Sequence, residues 1–382
     1  MFVTLPAVSR LVHPLTTGPA PAPEAFRLPD REGREYLPAA YRAIDPAARG
    51  PIAPAQPRNI FIEVTNHCNL LCETCPRTFV TYEQPQTLAW EKFLCIVAQF
   101  PDMQRAVLHG IGEPLLNKDL PRMIAHLKAR GVTVLFNTNA TLLDEDWSRK
   151  LIAAGLDELR VSVDGADPKT YALIRGAPLL HKLVRNLKRF VEIQNEMGAS
   201  APRTSLWMTG MKENIAELPD VIRLAAHMGV PEVYLQRMVY YADGTEAPGM
   251  MDGGHGLFGS FDAEVDRIVA EGEALAQALG VTLRASGATT PAESIRGAAT
   301  PRPWSACMRP WTTAYITANG NALPCCIAPF ATSDYESLKL GNVFEQPFGD
   351  LWNAERYQEW RARLLSDTPH PACAGCGVYW SL

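Results

Sequence analysis

Nine cysteines stand at 68, 72, 75, 95, 307, 325, 326, 373 and 376, and all but Cys95 fall into two groups. An odd total with no export signal speaks against a disulfide framework, and in a reducing compartment clustered thiols more often hold metal. Cys68-x3-Cys72-x2-Cys75 puts three thiolates on one short stretch. A structural zinc site takes four ligands, usually as two separated pairs, so three leave a position open. A cubane of four irons and four sulfides, normally held by four thiolates, would then keep one iron free for a small molecule. His67 adjoins Cys68, where ligating the same metal is awkward. In the second group, Cys307, Cys325 or Cys326, and the pair Cys373 and Cys376 can bring four thiols together, the number a closed site requires. That spacing suits tetrahedral zinc and an iron-sulfur cluster equally. Cys95, inside a segment of helical period, reads as a small core hydrophobe.

These groups must be held by a scaffold, and the chain offers one. Residues 1–57 contain 11 of the 31 prolines and read as an irregular arm wrapping the body or partly disordered, with one short helix near Tyr36 to Ile44. Over 58–240, short β-rich runs alternate with segments of helical period, the pattern of βα units around a parallel sheet. Strands are expected at 60–64, 105–109, 132–137, 158–163, 204–209 and 232–237, with covering helices at 89–100, 119–130, 144–154, 179–197 and 215–228. The first cysteine group follows the first strand, at the carboxyl end where such sheets bind ligands. Residues 241–300 read as a connecting loop, a helix over 262–279 and a strand near 281–284. From 301 to 382 a small metal-built domain is expected, with a hairpin around Asn319-Gly320.

The 382 residues are 47% hydrophobic and 20% charged, ordinary globular values that favour two or three domains. A formal charge of −5 gives no electrostatic case for nucleic acid. No apolar run is long enough to span a bilayer, and Pro6, Arg10, His13 and Pro14 interrupt any signal-peptide core, so the expected location is the cytoplasm.

The cysteine loop after the first of six βα units resembles the radical S-adenosylmethionine (SAM) superfamily, which implies a partial (β/α)6 TIM-type barrel, a SAM-binding [4Fe-4S] cluster on Cys68, Cys72 and Cys75, and SAM itself. Gly110-Ile111-Gly112-Glu113-Pro114 resembles the family's Gly-Gly-Glu-Pro segment, with Ile111 at the first Gly. The resemblance implies that Gly112, Glu113 and Pro114 meet the amino group of the SAM methionine. Asn137-Thr138-Asn139-Ala140 resembles the Thr-Asn-Gly segment, with Ala140 replacing Gly. Ser162-Val163-Asp164-Gly165 resembles the segment that binds the ribose, Arg175 matches the Arg that meets the methionine carboxylate, and Leu235 with Gln236 matches the adenine-side strand. Singly, each has a bland reading: Gly-Glu-Pro as a turn, Asp-Gly as a hairpin, Arg175 as a solvated charge.

The C-terminal string resembles the extension called SPASM, or its shortened form, twitch. It implies one auxiliary [4Fe-4S] cluster on Cys307, Cys325, Cys373 and Cys376, two clusters in all, with Cys326 an alternative ligand, a packed thiol or a hydrogen-atom donor. The family chemistry is reductive cleavage of SAM to a 5′-deoxyadenosyl radical that abstracts a substrate hydrogen, with the cofactors breaking the bond and the protein orienting the parts. The one-cluster form resembles oxidoreductases of small natural products, sugars and aminocyclitols, in which the auxiliary cluster accepts an electron. The alternatives are a peptide-crosslinking enzyme and a redox-neutral epimerase. Because the Pro-rich arm does not read as a peptide-recognition domain, a small-molecule substrate is favoured over a peptide, with an external donor such as flavodoxin or ferredoxin and no nucleic-acid or membrane partner. Candidates facing substrate lie in the loop from Tyr240 to Gly259, namely Tyr240, Tyr241, Asp243 and His255; no base is selected among Asp243, His255 and Arg237.

Overall fold

In the computed structural model, which describes residues 49–241, 244, 246–257, 262–286, 290–296, 302–374 and 376, one continuous ten-stranded sheet runs through the described residues. Strands β1 (Asn59–Ile62), β2 (Arg105–Val107), β3 (Thr133–Thr138), β4 (Glu158–Ser162), β5 (Arg203–Gly210), β6 (Glu232–Arg237) and β7 (Thr282–Ala285) pair in parallel, each with the next. The crossovers are α1 (Trp90–Ala98), α2 (Leu120–Ala129), α3 (Glu145–Ala153), α4 (Pro168–Arg175), α5 (Leu180–Glu196), α6 (Leu218–Met228) and α7 (Ala263–Leu279). Every expected strand and helix of the barrel segment is present, with bounds shifted by a few residues.

The register separates two faces. Ile60, Ile62, Val134, Phe136, Leu159, Val161, Leu206 and Met208 are fully buried and face the helices. Burying each such side chain contributes about 1.5–3 kcal/mol. The opposite face carries Phe61, Asn137, Glu158, Arg160, Ser162, Trp207, Tyr234 and Gln236, all half-buried. A parallel sheet covered on both sides reads as continuous apolar runs. Here the alternation marks a curved sheet whose inner face is left for a ligand.

Helix α4 is absent from the sequence expectations, because Asp164-Gly165 reads as a turn. Its signals are nonetheless local: Asp167 caps the backbone N–H of Lys169 at 2.8 Å, Pro168 occupies the first helical position, and Gly176 closes it at φ +71°. The expectation for Cys95 is corrected. It is exposed on α1, since Phe93, Ile96 and Val97 form the buried stripe and position 95 falls outside it.

The C-terminal part is not attached beside the barrel but extends its sheet. Strand β8 (Thr313–Ile316) pairs in parallel with β1, β9 (Asn321–Leu323) returns antiparallel around Gly320 at φ +89°, and β10 (Gly341–Asn342) follows. β8 thus covers the edge of β1 that would otherwise stay open. Helix α8 (Glu355–Leu364) presents fully buried Arg361, whose guanidinium donates to Pro310 O at 2.8 Å and Pro51 O at 3.1 Å. Trp311 and Trp352 each donate at 2.8 Å, to Gly50 O and Ala55 O. The described part of the expected N-terminal arm is therefore wrapped onto the C-terminal part; the helix expected near Tyr36 lies outside the described residues. No helix among the described residues is long and apolar enough to cross a membrane.

Candidate active site

The loop after β1 carries Cys68, Cys72 and Cys75, with Cys72 buried and the other two half-buried. Two elements press on it. Helix α4 docks end-on: Glu73 N–H donates to Ile174 O at 2.9 Å, and a Cβ on Gly176 would lie 2.0 Å from Leu71 O. From the other side, Glu113 N–H donates to His67 O at 2.8 Å, and a Cβ on Gly112 would meet Thr65 O at 2.2 Å. Glycine is required at 112 because two backbones touch there.

Glu113 is 2% exposed and its carboxylate is already engaged: it accepts from the Thr138 hydroxyl at 2.7 Å, Asn139 N–H at 2.8 Å and Leu115 N–H at 3.1 Å. Burial raises its pKa against these bonds. The side chain ties the second loop to the third rather than projecting into the site. Asn139 works likewise, donating to Asn69 Oδ1 at 2.9 Å in the cysteine loop and accepting from Thr141. Ala140, at the family's Gly position, holds φ +55°, the left-handed region that explains the glycine preference. Pro114 opens a 3-10 turn and Asn137 lies on the inner face.

Asp164 is buried and bridges two elements, accepting from Thr209 N–H at 2.8 Å and Arg175 at 3.0 Å. Burial works against the Arg175 cation, but Cys72 and Asp164 outweigh it and raise its pKa. Ser162 ends β4 on the inner face. Gln236 shares that face, whereas Leu235 is turned to the helices and 3% exposed; both border a recess with Gly210, Leu257 and Ile295.

The loop candidates are dispersed. Tyr240 packs with Ile174, Met211 and Met238 in a small apolar cluster. Tyr241 is buried with its hydroxyl on that of Tyr82. His255 lies between Glu213 and Asp252, so both ring nitrogens meet surface carboxylates. Arg237 is buried beside Ser286 and Ser294. Asp243 lies outside the described residues.

The inner face supplies what motif reading missed. Phe61 lies 6.1 Å from His109 and 6.3 Å from Tyr315, Trp207 stacks on Tyr234 at 4.0 Å, and Arg160 sits 4.5 Å over Trp207. Burial pushes His109 down to about 4, with Arg160 adding, so the imidazole is neutral. The polar-apolar alternation of 158–162 and 232–236 was the available signal.

In the C-terminal part, burial pushes the Cys373 thiol well up, and Cys325, Cys307 and Cys376 add to it, so these four thiols lie within electrostatic reach of one another. Burial raises the Cys326 thiol too, with Arg309 and Arg105 opposing and Cys307 adding. Burial disfavours the Arg309 cation, yet Cys307, Cys326, Cys325 and Cys376 outweigh that effect.

The donor sets fit iron-sulfur clusters. Burial pushes Cys75 up to about 12 and raises Cys72, a cost relieved when a metal replaces the proton. Among the described residues, Arg77 Nε and Arg175 Nε are buried without a hydrogen-bond partner, and both are cations whose charge bears on Cys72. No three acidic, His or Cys side chains among the described residues converge as for a single ion. A cubane is ligated at separate corners, so its thiols need not converge.

Comparison with known proteins agrees. The radical SAM superfamily profile matches residues 62–225, and that of the iron-sulfur cluster-binding domain SPASM matches 307–377. The chain is 27% identical over 332 residues to PqqA peptide cyclase of Xanthomonas axonopodis pv. citri, covering 85% of this chain and 81% of that protein. It is 23% identical over 330 residues to the tungsten-containing aldehyde ferredoxin oxidoreductase cofactor-modifying protein of Pyrococcus furiosus, covering 84% and 87%. Streptococcus suis SuiB bound to S-adenosylmethionine superposes with a TM-score of 0.59 at 17% identity, over 80% of this chain and 68% of that one, which shows the fold alone. The preference for a small-molecule substrate is corrected by these relatives, since PqqA peptide cyclases, matched over most of both chains, are named for acting on a peptide. The chain belongs to the radical SAM superfamily, with a C-terminal SPASM domain and with S-adenosylmethionine and [4Fe-4S] clusters as its cofactors.

Proposed function

We propose that this enzyme modifies a peptide, oxidising a carbon–hydrogen bond of one side chain so that a new bond closes within the peptide. The observation that carries the reading is the match to PqqA peptide cyclases across about four-fifths of both chains. Bound to Cys68, Cys72 and Cys75, the cluster with SAM supplies a 5′-deoxyadenosyl radical as the hydrogen-abstracting agent. This chain's residues do the positioning. Glu113, Asn139 and Asp164 brace the loops that frame SAM, and Arg175 offers a cation beside Cys72 for its carboxylate. Phe61, Trp207, Tyr234 and Tyr315 line the inner face, which suits an apolar or aromatic side chain and excludes water from the reacting carbon. His109, neutral and on the same face beside Phe61, adds an uncharged ring to this lining. Cys307, Cys325, Cys373 and Cys376 would hold the auxiliary cluster, since the charges of Cys325, Cys307 and Cys376 all bear on Cys373.

The test is anaerobic incubation of reconstituted enzyme with SAM, a reductant and a library of short peptides, read by mass spectrometry. Peptides that lose two hydrogens in step with 5′-deoxyadenosine release support the reading. Release stimulated by sugars or aminocyclitols and by no peptide overturns it.

A further inference from the structure

Glu63 belongs to no motif that the family resemblance assigns, yet it stands where two parts of the molecule meet. It directly follows β1 and is 2% exposed, and its backbone N–H donates to Ile316 O at 2.9 Å, continuing the pairing of β1 with β8. Both carboxylate oxygens are occupied. Oε2 accepts from Ile111 N–H at 2.9 Å, in the loop that the resemblance gives to SAM, and from the Tyr315 hydroxyl of β8 at 3.1 Å. Oε1 accepts from Ala318 N–H at 3.2 Å, at the turn between β8 and β9. One oxygen is thus shared by the SAM-side loop and the C-terminal part. The backbone leaves room for it, since a Cβ on Gly110 would lie 2.1 Å from that same oxygen.

A second carboxylate repeats the arrangement beyond the cysteine loop. Glu83 accepts from the side-chain amides of Asn319 and Asn321 at 2.9 and 2.8 Å, on either side of Gly320 in the same hairpin, and from the Tyr335 hydroxyl at 2.7 Å. Residues 63 and 83 bracket Cys68, Cys72 and Cys75, so one hairpin of the C-terminal part grips the cysteine loop at both ends. Burial pushes the Glu63 carboxyl up to about 7, a cost that an apolar side chain would avoid. The buried acid is accounted for by what it holds.

We propose that Glu63 is a positioning residue through which the β8–β9 hairpin holds the Gly110–Pro114 loop in its SAM-binding shape, so that the C-terminal part sets the affinity for SAM. Tyr315 fixes Oε2, and Oε2 fixes Ile111; bonds joined at one buried atom reinforce one another. Glu63 acts only through Ile111 and touches neither SAM nor substrate.

The experiment is a double-mutant cycle on the iron-loaded full chain, read by SAM affinity without peptide, with iron content and Tm measured in parallel. Tyr315→Phe removes one hydroxyl, while Glu63→Met keeps the length of the side chain and removes both acceptors. SAM binding should weaken about threefold in the first and about tenfold in the second, within the range for partners in one hydrogen-bond network. In the Glu63→Met background, Tyr315→Phe should change it no further. Glu83→Gln loosens the same hairpin at its other end and leaves Glu63 in place; it should weaken SAM about threefold, and it carries the test if Glu63→Met loses iron. A lowered Tm with SAM affinity unchanged in these variants would make the carboxylates structural and overturn the proposal. Effects of Glu63→Met and Tyr315→Phe that simply add would also overturn it, because Tyr315 would then reach SAM by another route.

Discussion

Glu113→Gln separates the role read from the motif from the role seen in the structure. A carboxylate that met the SAM amino group would, on conversion to an amide, weaken SAM binding and leave the fold untouched. In the structure Oε1 accepts from Thr138 and Leu115, and Oε2 accepts from Asn139 N–H at 2.8 Å, all out of water. Glutamine can keep the first two bonds, but its NH2 then faces the Asn139 N–H, donor against donor. Losing a charge-assisted bond and leaving a buried donor unpaired costs about 2–4 kcal/mol, reduced by the easier burial of a neutral amide to roughly 2. At about 2–4 °C per kcal/mol that is a fall in Tm of roughly 4–8 °C. Because Asn139 also holds Asn69 at 2.9 Å, the cysteine loop should loosen with it, and SAM affinity should fall together with Tm. The assay is anaerobic differential scanning fluorimetry beside SAM titration of the iron-loaded protein. An unchanged Tm with a tenfold loss of SAM affinity would refute the scaffold reasoning and restore the direct contact.

Gly112→Ala should be worse, since its Cβ would meet Thr65 O at 2.2 Å and His67 O at 2.5 Å; a loss of about 3 kcal/mol is expected by chemical denaturation, against a small change for Gly50→Ala, where nothing lies within 4 Å and the backbone is not left-handed. Removing Cys68, Cys72 and Cys75 together should lower iron from about eight to about four per chain; retention of zinc instead of iron would make the C-terminal site structural. Glu63 is fully buried and burial pushes its pKa up from 4.5 to about 7, against bonds from Ile111 and Ala318 N–H. A carboxyl with a raised folded-state pKa stabilises the fold while protonated, so its contribution is complete below about 4.5 and lost as pH rises to about 7. The shift corresponds to about 3 kcal/mol, and Glu63→Gln should flatten stability against pH over that window; an unaltered slope would place the titration elsewhere.

Much of this protein was legible in its residues. The spacing of Cys68, Cys72 and Cys75, the order of segments after successive strands, and the two periodicities are local properties of sequence, so the cysteine loop, the strands and most of the crossover helices could be read directly. Residue type also carried the hairpin at Gly320, whereas an alanine at 140 gave no sign of the left-handed turn found there. Tertiary structure decided what depends on pairing and burial. That β8 lies beside β1 follows from a partner more than 250 residues away, invisible to any local pattern. Whether Glu113 faces SAM or the scaffold depends on where Thr138 and Asn139 arrive, and the exposure of Cys95 on the phase of α1 against the core. His255 is taken by Glu213 because the loop folds back on the end of β5, and Glu73 N–H meets Ile174 O because α4 ends on the cysteine loop. Sequence fixes which groups a chain can offer; which of them are left facing one another without water is settled only when the strands close around them.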